Sequence, residues 1–374
     1  MPDSGLVPSS QHRGVLSGIH LDPILLLLLL MLVGAGLFVL YSGADSSAEV
    51  VRRQVVRLCV ALTVMVAFAQ LDPAVYRRWS PWVFAVGVAA LSAVLIMGVG
   101  AKGAQRWLQL PGLPRFQPSE LVKIAAPMMV SWFLASRVLP PSGKDTLIAL
   151  AIIMLPPMLI VEQPDLGTAL LVFAAGLFVL FLAGISWKLI GGFVSLVAMA
   201  LPALWFFVMR DYQKQRVMTL LDPESDPLGA GWNIIQSKTA IGSGGLAGKG
   251  WLQGTQSHLD FLPESHTDFI VAVLAEEFGL IGVIALLTLY LLIIMRCLYI
   301  AANAQDTYSR LLAGSLTLTF FIYVFVNMGM VSGILPVVGV PLPMVSYGGT
   351  SIVTLMAGFG ILMSIQTHRR MLGS

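Results

Sequence analysis

The chain reads as a series of long apolar windows separated by short polar ones. Crossing a bilayer takes about 20 mostly apolar residues at a rise of roughly 1.5 Å each. Windows of that kind fall at approximately 22–42, 53–71, 80–100, 118–136, 145–161, 166–184, 187–208, 269–295, 309–333 and 347–366. The pattern predicts an all-α polytopic membrane protein with about ten transmembrane helices. The fifth window is short and interrupted by Pro156-Pro157, and the ninth and tenth flank a Gly/Pro-rich turn, so a count one lower also fits.

Several windows open on helix-start signals. Asp22-Pro23, Gln163-Pro164-Asp165 and Gln117-Pro118-Ser119-Glu120 place Pro in or near a first turn beside an acid. Pro there sacrifices no internal hydrogen bond, and a carboxylate suits the positive end of the helix dipole. Residues 1–20 are polar and lack a signal-peptide layout, so the first window is expected to stay as a helix behind a polar tail. One stretch breaks the rhythm. Residues 209–267 form a long polar connection between the seventh and eighth windows. Its Trp232, Ile234, Ile235, Trp251, Leu259, Phe261 and Leu262 are too apolar for a disordered tail and predict a packed cap over one mouth of the bundle.

Composition sharpens this picture. Of 374 residues 57% are hydrophobic and only 11% charged, against about 25% charged in soluble domains. A water-soluble globule, a disordered chain and a disulfide scaffold are excluded on those grounds. Cys59 and Cys297 lie far apart in apolar stretches and indicate neither a disulfide framework nor a metal site. The net charge of +3 carries no nucleic-acid signal, and no nucleic-acid partner is expected. The five histidines show no metal spacing. An even span count puts both termini on one side, and the positive-inside rule favours the cytoplasm for them only modestly.

Few polar groups are placed to do chemistry. Ser265-x-x-Asp268 ahead of the eighth window has the form of a capping motif, with Asp268 in the first helical turn. The same position suits a general base held ionised by the dipole at the membrane face. Glu276 and Glu277 follow within the window; a polar anchor is the favoured reading over a proton or cation path, because adjacent residues cannot both face one pore. Glu120 and Lys123, at i and i+3, are close enough to pair on one helix face. Ile241 to Gly250 is glycine-rich but is no Walker A loop; a backbone nest beside Lys249 remains as a pyrophosphate cradle.

Longer motifs then carry a resemblance. They are Gly103-Ala104-Gln105-Arg106-Trp107-Leu108, Gln117-Pro118-Ser119-Glu120, Glu162-Gln163-Pro164-Asp165-Leu166-Gly167-Thr168, Gln215-Arg216-Val217 through Asp226-Pro227, Gly248-Lys249-Gly250-Trp251 and His266-Thr267-Asp268-Phe269. With the run from Pro336 to Ser351, they make the chain from about residue 20 onward closely similar to the SEDS family of cell-wall proteins. Val337-Val338 stands where the division branch typically carries Lys, which favours the elongation branch.

The resemblance implies a single SEDS transmembrane domain over 21–374, with a cytoplasmic tail at 1–20 and an extracytoplasmic loop at 209–267. It implies a multi-pass protein of the bacterial inner membrane. The expected activity is a peptidoglycan glycosyltransferase, polymerising lipid II into β-1,4 glycan on the periplasmic face for elongation and rod shape. Asp268 matches the family's essential carboxylate, and Glu120 and Lys123 match its cavity pair. Lys123, Arg216, Lys238 and Lys249 are the candidate cations for the departing pyrophosphate, with a divalent cation (magnesium or manganese) as an alternative neutraliser. A class B penicillin-binding protein and further elongation-complex membrane proteins are the implied partners. A lipid II flippase and a non-catalytic scaffold for the penicillin-binding protein are the rival readings; glycan product dependent on Asp268 separates them from a polymerase.

Overall fold

The structure is a computed structural model that describes residues 19–44, 46–101, 104–109, 116–209, 211–225, 230–255 and 266–368. Most of the tail 1–20, together with Ser265 and Asp226-Pro227, lies outside those residues. A helix occupies every apolar window. These are α1 (Pro23–Gly43), α2 (Ala48–Ala69), α3 (Pro73–Met97), α4 (Pro118–Ala135), α5 (Gly143–Glu162), α6 (Leu166–Leu182) and α7 (Trp187–Ala203, continued by a π turn to Val208). After two further helices come α10 (Ile270–Ala302), α11 (Thr307–Val331) and α12 (Thr350–Thr367). Among the described residues seven helices are long and apolar enough to cross a membrane by length and composition. α2, α4 and α6 fall short of that measure: α2 carries Glu49, Arg52, Arg53 and Arg57, α4 carries Glu120 and Lys123, and α6 has 17 residues.

Three expectations change. α5 runs unbroken through Pro156-Pro157, both buried. Neighbouring helices in an apolar bundle take up backbone that proline frees, so the interruption read from sequence does not occur. The described part of 209–267 is more than a loop: α8 (Asp211–Leu221) and α9 (Ala230–Gly244) lie within it. α9 packs chiefly on α10, and its buried face carries Ile234, Ser237 and Ala240, with Ser237 Oγ donating to the Val331 carbonyl of α11. So narrow a face, three residues in which one is polar and one is alanine, leaves almost no hydropathy signal. Between α3 and α4 the chain forms an antiparallel ladder of β1 (Val99–Ala101) and β2 (Ala104–Trp107), prolonged by a Leu108–Phe116 bridge.

Successive spanning helices alternate in direction and give the bundle two ends. One holds the α1–α2 turn, the β-ladder, α8, α9, Asp268 and the 332–349 segment; the other holds residues 19–22, 70–72, 136–142, 303–306 and 368. α12 packs most extensively on α2, α3 on α4, and α11 on α10 and α6. The principal core joins α1, α2, α10, α11 and α12 around Tyr290, Phe320 and Phe359.

Candidate active site

Asp268 stands one residue before Phe269, the N-cap of α10, and not in the first helical turn as the capping motif suggested. α10 has no side-chain cap and no acid in its first turn. The Asp268 main chain is fixed from across the bundle. Its carbonyl accepts from Asn327 Nδ2 at 2.9 Å, and the same amide donates to the Val340 carbonyl at 2.8 Å. Asn327 is fully buried on α11, so one side chain pins the aspartate and the 335–349 segment together. Gly339 lies against the carboxylate: a Cβ there would sit 3.6 Å from Asp268 Oδ2, and its φ of +74° favours glycine in any case.

The 335–349 segment is itself held on several sides. Tyr347 N donates to the His266 carbonyl at 2.9 Å. Ser346 Oγ accepts from Leu342 N at 2.8 Å, Gln54 Nε2 reaches the Ser346 carbonyl at 3.2 Å, and Tyr290 OH reaches that of Pro343 at 2.6 Å. The result is a rigid irregular strap facing Asp268.

Glu120 and Lys123 pair as their spacing predicts, at 2.7 Å, and both are buried. The ammonium also lies 5.3 Å from the Tyr323 ring centroid. Glu120 Oε2 is buried without a hydrogen-bond partner. This glutamate borders a narrow apolar cleft on the α11 side. It also borders two grooves: one of about 940 Å³ beside Arg57, Gln117 and Gly349, and an apolar one of about 1070 Å³ between α2, α3, α4 and α12. Nearby, three sequence motifs converge. Arg106 approaches Asp165 at 3.6 Å and donates to the Pro164 carbonyl, while Gln117 Nε2 reaches Asp165 at 3.4 Å.

The remaining candidate cations are placed differently. Lys249 Nζ is bound to Glu276 at 2.7 Å and to Thr255 Oγ1 at 2.8 Å. Lys238 is exposed and lies against Gly333, just past the end of α11, and Arg216 is exposed on α8. Glu276 and Glu277 are anchors, as the sequence favoured. Glu276 accepts from Thr255 N at 2.8 Å, and Glu277 accepts from Leu252 N at 3.0 Å and from Ser42 Oγ.

The glycine-rich nest is consumed by the same docking. Lys249 N and Gly250 N donate to the Glu276 and Glu277 carbonyls at 3.0 and 2.9 Å, where α10 breaks at Gly279 (φ 60°). Its N–H groups are filled by protein, so the pyrophosphate cradle read from sequence is not available there. Among the described residues no three His, Cys, Asp or Glu side chains converge.

Sequence reading missed Asn327, Gln54 and Arg57. Asn327 is a lone amide in an apolar helix, and Gln54 and Arg57 sit in a charged first stretch of α2 whose contacts with residues 346 and 347 lie about 290 positions along the chain.

Comparison with known proteins fits this arrangement. The FtsW/RodA/SpoVE family model, described as "Cell cycle protein", matches residues 18–371. "Peptidoglycan glycosyltransferase MrdB" of Escherichia coli (strain K12) is 60% identical over 354 residues, 95% of each chain. "Probable peptidoglycan glycosyltransferase FtsW" of Trichlorobacter lovleyi is 37% identical over 360 residues, 92% of each. The higher identity to MrdB agrees with the branch suggested by Val337-Val338. A structure described as "Structural coordination of polymerization and crosslinking by a peptidoglycan synthase complex" superposes with a TM-score of 0.82 at 29% identity, covering 94% of this chain and 99% of that one. The Thermus thermophilus Rod shape determining protein RodA gives 0.70 at 27% identity over 92% and 96% of the two chains. With a family model spanning nearly its whole length and relatives this similar, the chain belongs to the FtsW/RodA/SpoVE family of polytopic membrane proteins.

Proposed function

We propose that this protein is a peptidoglycan glycosyltransferase that polymerises lipid II, the undecaprenyl-pyrophosphate-linked disaccharide pentapeptide, into β-1,4 glycan. The single observation that carries the reading is the mounting of Asp268. A carboxylate at the head of α10 has its main chain clamped by Asn327 and its Oδ2 against Gly339, beside a rigid strap. Such rigidity is what general-base catalysis asks of a side chain.

The donor sugar is α-linked to pyrophosphate and the product is β-linked, so one inverting displacement suffices. Inverting hydrolases need a second carboxyl group to protonate a poor leaving alcohol. Pyrophosphate leaves without that help, and one base is enough. Asp268 takes the proton from the attacking GlcNAc 4-hydroxyl, a contribution worth about 10²–10⁴ in rate. Charge on the departing pyrophosphate is met by positive groups at the same end of the bundle. Of the lysines and arginines read from the sequence, Lys238 and Arg216 are exposed there, whereas Lys249 already neutralises Glu276.

In this reading the protein sits in the bacterial inner membrane with the Asp268 end facing the periplasm, where a class B penicillin-binding protein cross-links the product. Other elongation-complex membrane proteins complete the assembly. A flippase would use broken helices at mid-membrane. The break in α10 at Gly279 is instead plugged by the Gly245–Gly250 turn, which favours the polymerase.

The test is a gel of glycan products from purified lipid II and the protein in complex with its penicillin-binding partner. Wild type yields polymer and Asp268→Asn yields none, with the complex intact. Polymer from Asp268→Asn would overturn the assignment.

A further inference from the structure

Arg57 projects from the same face of α2 as Gln54, three residues earlier, which holds the Ser346 carbonyl. Its guanidinium carbon lies 4.4 Å from the Tyr347 ring centroid. Stacking of this kind fixes the plane of the fork and uses none of its five donors. Nη1 is buried without an acceptor, and among the described residues Arg57 forms no ion pair. One turn earlier, Arg52 and Arg53 are both paired with Glu49. A buried donor left without a partner is costly, the more so when it carries charge. An anion arriving from outside removes that cost.

The groove of about 940 Å³ beside Arg57 is built for such a visitor. α12 starts there with no side-chain cap at Gly349 and no acid in its first turn, so its free N–H groups add positive potential. A Cβ at Gly349 would stand 3.8 Å from Arg57 Nε, which brings the two donor sets together. Glu120 lines the same groove, nine-tenths buried, with Oε2 lacking a partner. An unpaired acceptor calls for a ligand hydroxyl or amide N–H near the anion. The apolar groove of about 1070 Å³ continues from Glu120 and Leu121 along α2, α3 and α12 toward the opposite end. Anion, hydroxyl and hydrocarbon are thus met in sequence along one surface. Tyr347, under the guanidinium, bonds to His266, two residues before Asp268.

We propose that Arg57, stacked on Tyr347 at the start of α12, binds the diphosphate of a polyprenyl-diphosphate-linked sugar whose tail lies in the α2–α3–α4–α12 groove. This rests on the polymerase reading and names a cation for it that lies outside the four read from the sequence. Arg57 presents a flat fork suited to two oxygens at once, which an ammonium cannot imitate.

The experiment uses the full chain carrying Asp268→Asn in nanodiscs, so that binding is read without turnover. The probes are undecaprenyl pyrophosphate and uncharged undecaprenol. Adding Arg57→Ala weakens undecaprenyl pyrophosphate binding at least tenfold, and Arg57→Lys weakens it about threefold, in keeping with a monodentate replacement. Undecaprenol binding stays within twofold in both. Arg52→Ala, on the same helix and already paired, leaves both probes unchanged. The proposal is overturned by unchanged pyrophosphate binding in Arg57→Ala, by equal losses for the two probes, or by an equal loss in Arg52→Ala. Should Arg57→Ala fail to fold, Arg57→Lys decides the matter by the same comparison of probes. A failed product gel from the wild-type protein would strike the polymerase reading alone, because this assay needs no product.

Discussion

The two ends of the bundle finish their helices in different ways. At the opposite end α1, α3, α5 and α11 begin on Asp22, Asp72, Ser142 and Asp306, and each side chain accepts a backbone N–H, from Leu25, Ala74, Asp145 and Ser309. Arg296 bonds Asp22 as well, and the His20 and His368 rings stack at 3.8 Å. At the Asp268 end, among the helices whose N-caps are described, α6 is capped by a side chain, through Asp165 and Thr168 N, and α2, α4, α10 and α12 are not. Buried atoms without a partner also gather at that end: Gln54 Oε1, Arg57 Nη1, Arg106 Nε, Ser119 Oγ, Glu120 Oε2 and Asn327 Oδ1. Capping is worth about 1 kcal/mol per helix, and unpaired buried groups cost as much or more. The lesson is that one end caps its helices from their own side chains, leaving His20 Nδ1 and Ser309 Oγ among its few unpartnered atoms, while the other keeps more donors and acceptors open for a ligand.

The sharpest attack on that contrast is at Glu120–Lys123, the one closed ion pair among the open groups of α4. Lys123→Met leaves a carboxylate buried with neither a cation nor, at Oε2, any donor. Breaking such a pair costs about 3–5 kcal/mol. Thermal unfolding in detergent is expected to show a large fall in Tm, and Glu120→Gln combined with Lys123→Met recovers most of it. If Lys123→Met alone is thermally neutral, Glu120 is better solvated than its burial implies.

Asn327→Leu comes next. It keeps the volume and removes the amide that serves both Asp268 and Val340, leaving two carbonyls short of a donor at about 1–3 kcal/mol each. Beyond any stability loss, kcat for glycan synthesis falls about tenfold while KM moves less than twofold, because the base is misplaced and the binding groove is not. Ser346→Ala loosens the same strap without touching Asp268 and should show a smaller kcat loss. Equal losses in the two variants would make Asn327 a generic strap contact.

Which of these residues the sequence could disclose follows from the range of their interactions. Hydropathy marked every spanning window, because a run of 20 apolar residues is a local property. Asp22 and Asp165 were readable as acids at helix starts, and Glu120–Lys123 as a pair, because each interaction closes within three residues. Asp268 was recognisable as a helix-entry acid, and its offset from the N-cap reflects a turn at 266–269 that the Ser-x-x-Asp spacing cannot specify. Arg57, Gln54 and Asn327 stayed silent. Gln54 meets Ser346 and Arg57 meets Tyr347 only after α2 packs on α12, nearly the whole chain apart. The pairing of Lys249 was hidden for the same reason, since a glycine-rich turn says nothing of Glu276 waiting in the next helix.

A milder change probes the opposite end. Asp306→Ala removes the cap of α11 and is expected to cost about 1 kcal/mol, read as a modest fall in Tm. Glycan synthesis at a temperature below both transitions stays at the wild-type rate, since nothing bound at that end enters the reaction. A loss of activity out of proportion to the change in Tm would show that the two ends are coupled.

The smallest energetic effect gives the most discriminating reading, because stability and binding should move in opposite directions. Gly349→Asp puts a carboxylate at the start of α12, where φ of −109° admits any residue and the new side chain meets Arg57 at ordinary contact distance. Interaction with the helix dipole stabilises by about 0.3–1 kcal/mol. The same carboxylate takes the place assigned to the diphosphate and neutralises Arg57. Tm should therefore rise slightly while undecaprenyl pyrophosphate binding falls at least tenfold and polymerisation falls with it. The Asp268 end would then have been given the finish of the other end at the expense of its ligand. If stability rises and binding holds, the uncapped start of α12 is a structural accident and the contrast between the ends loses its functional meaning.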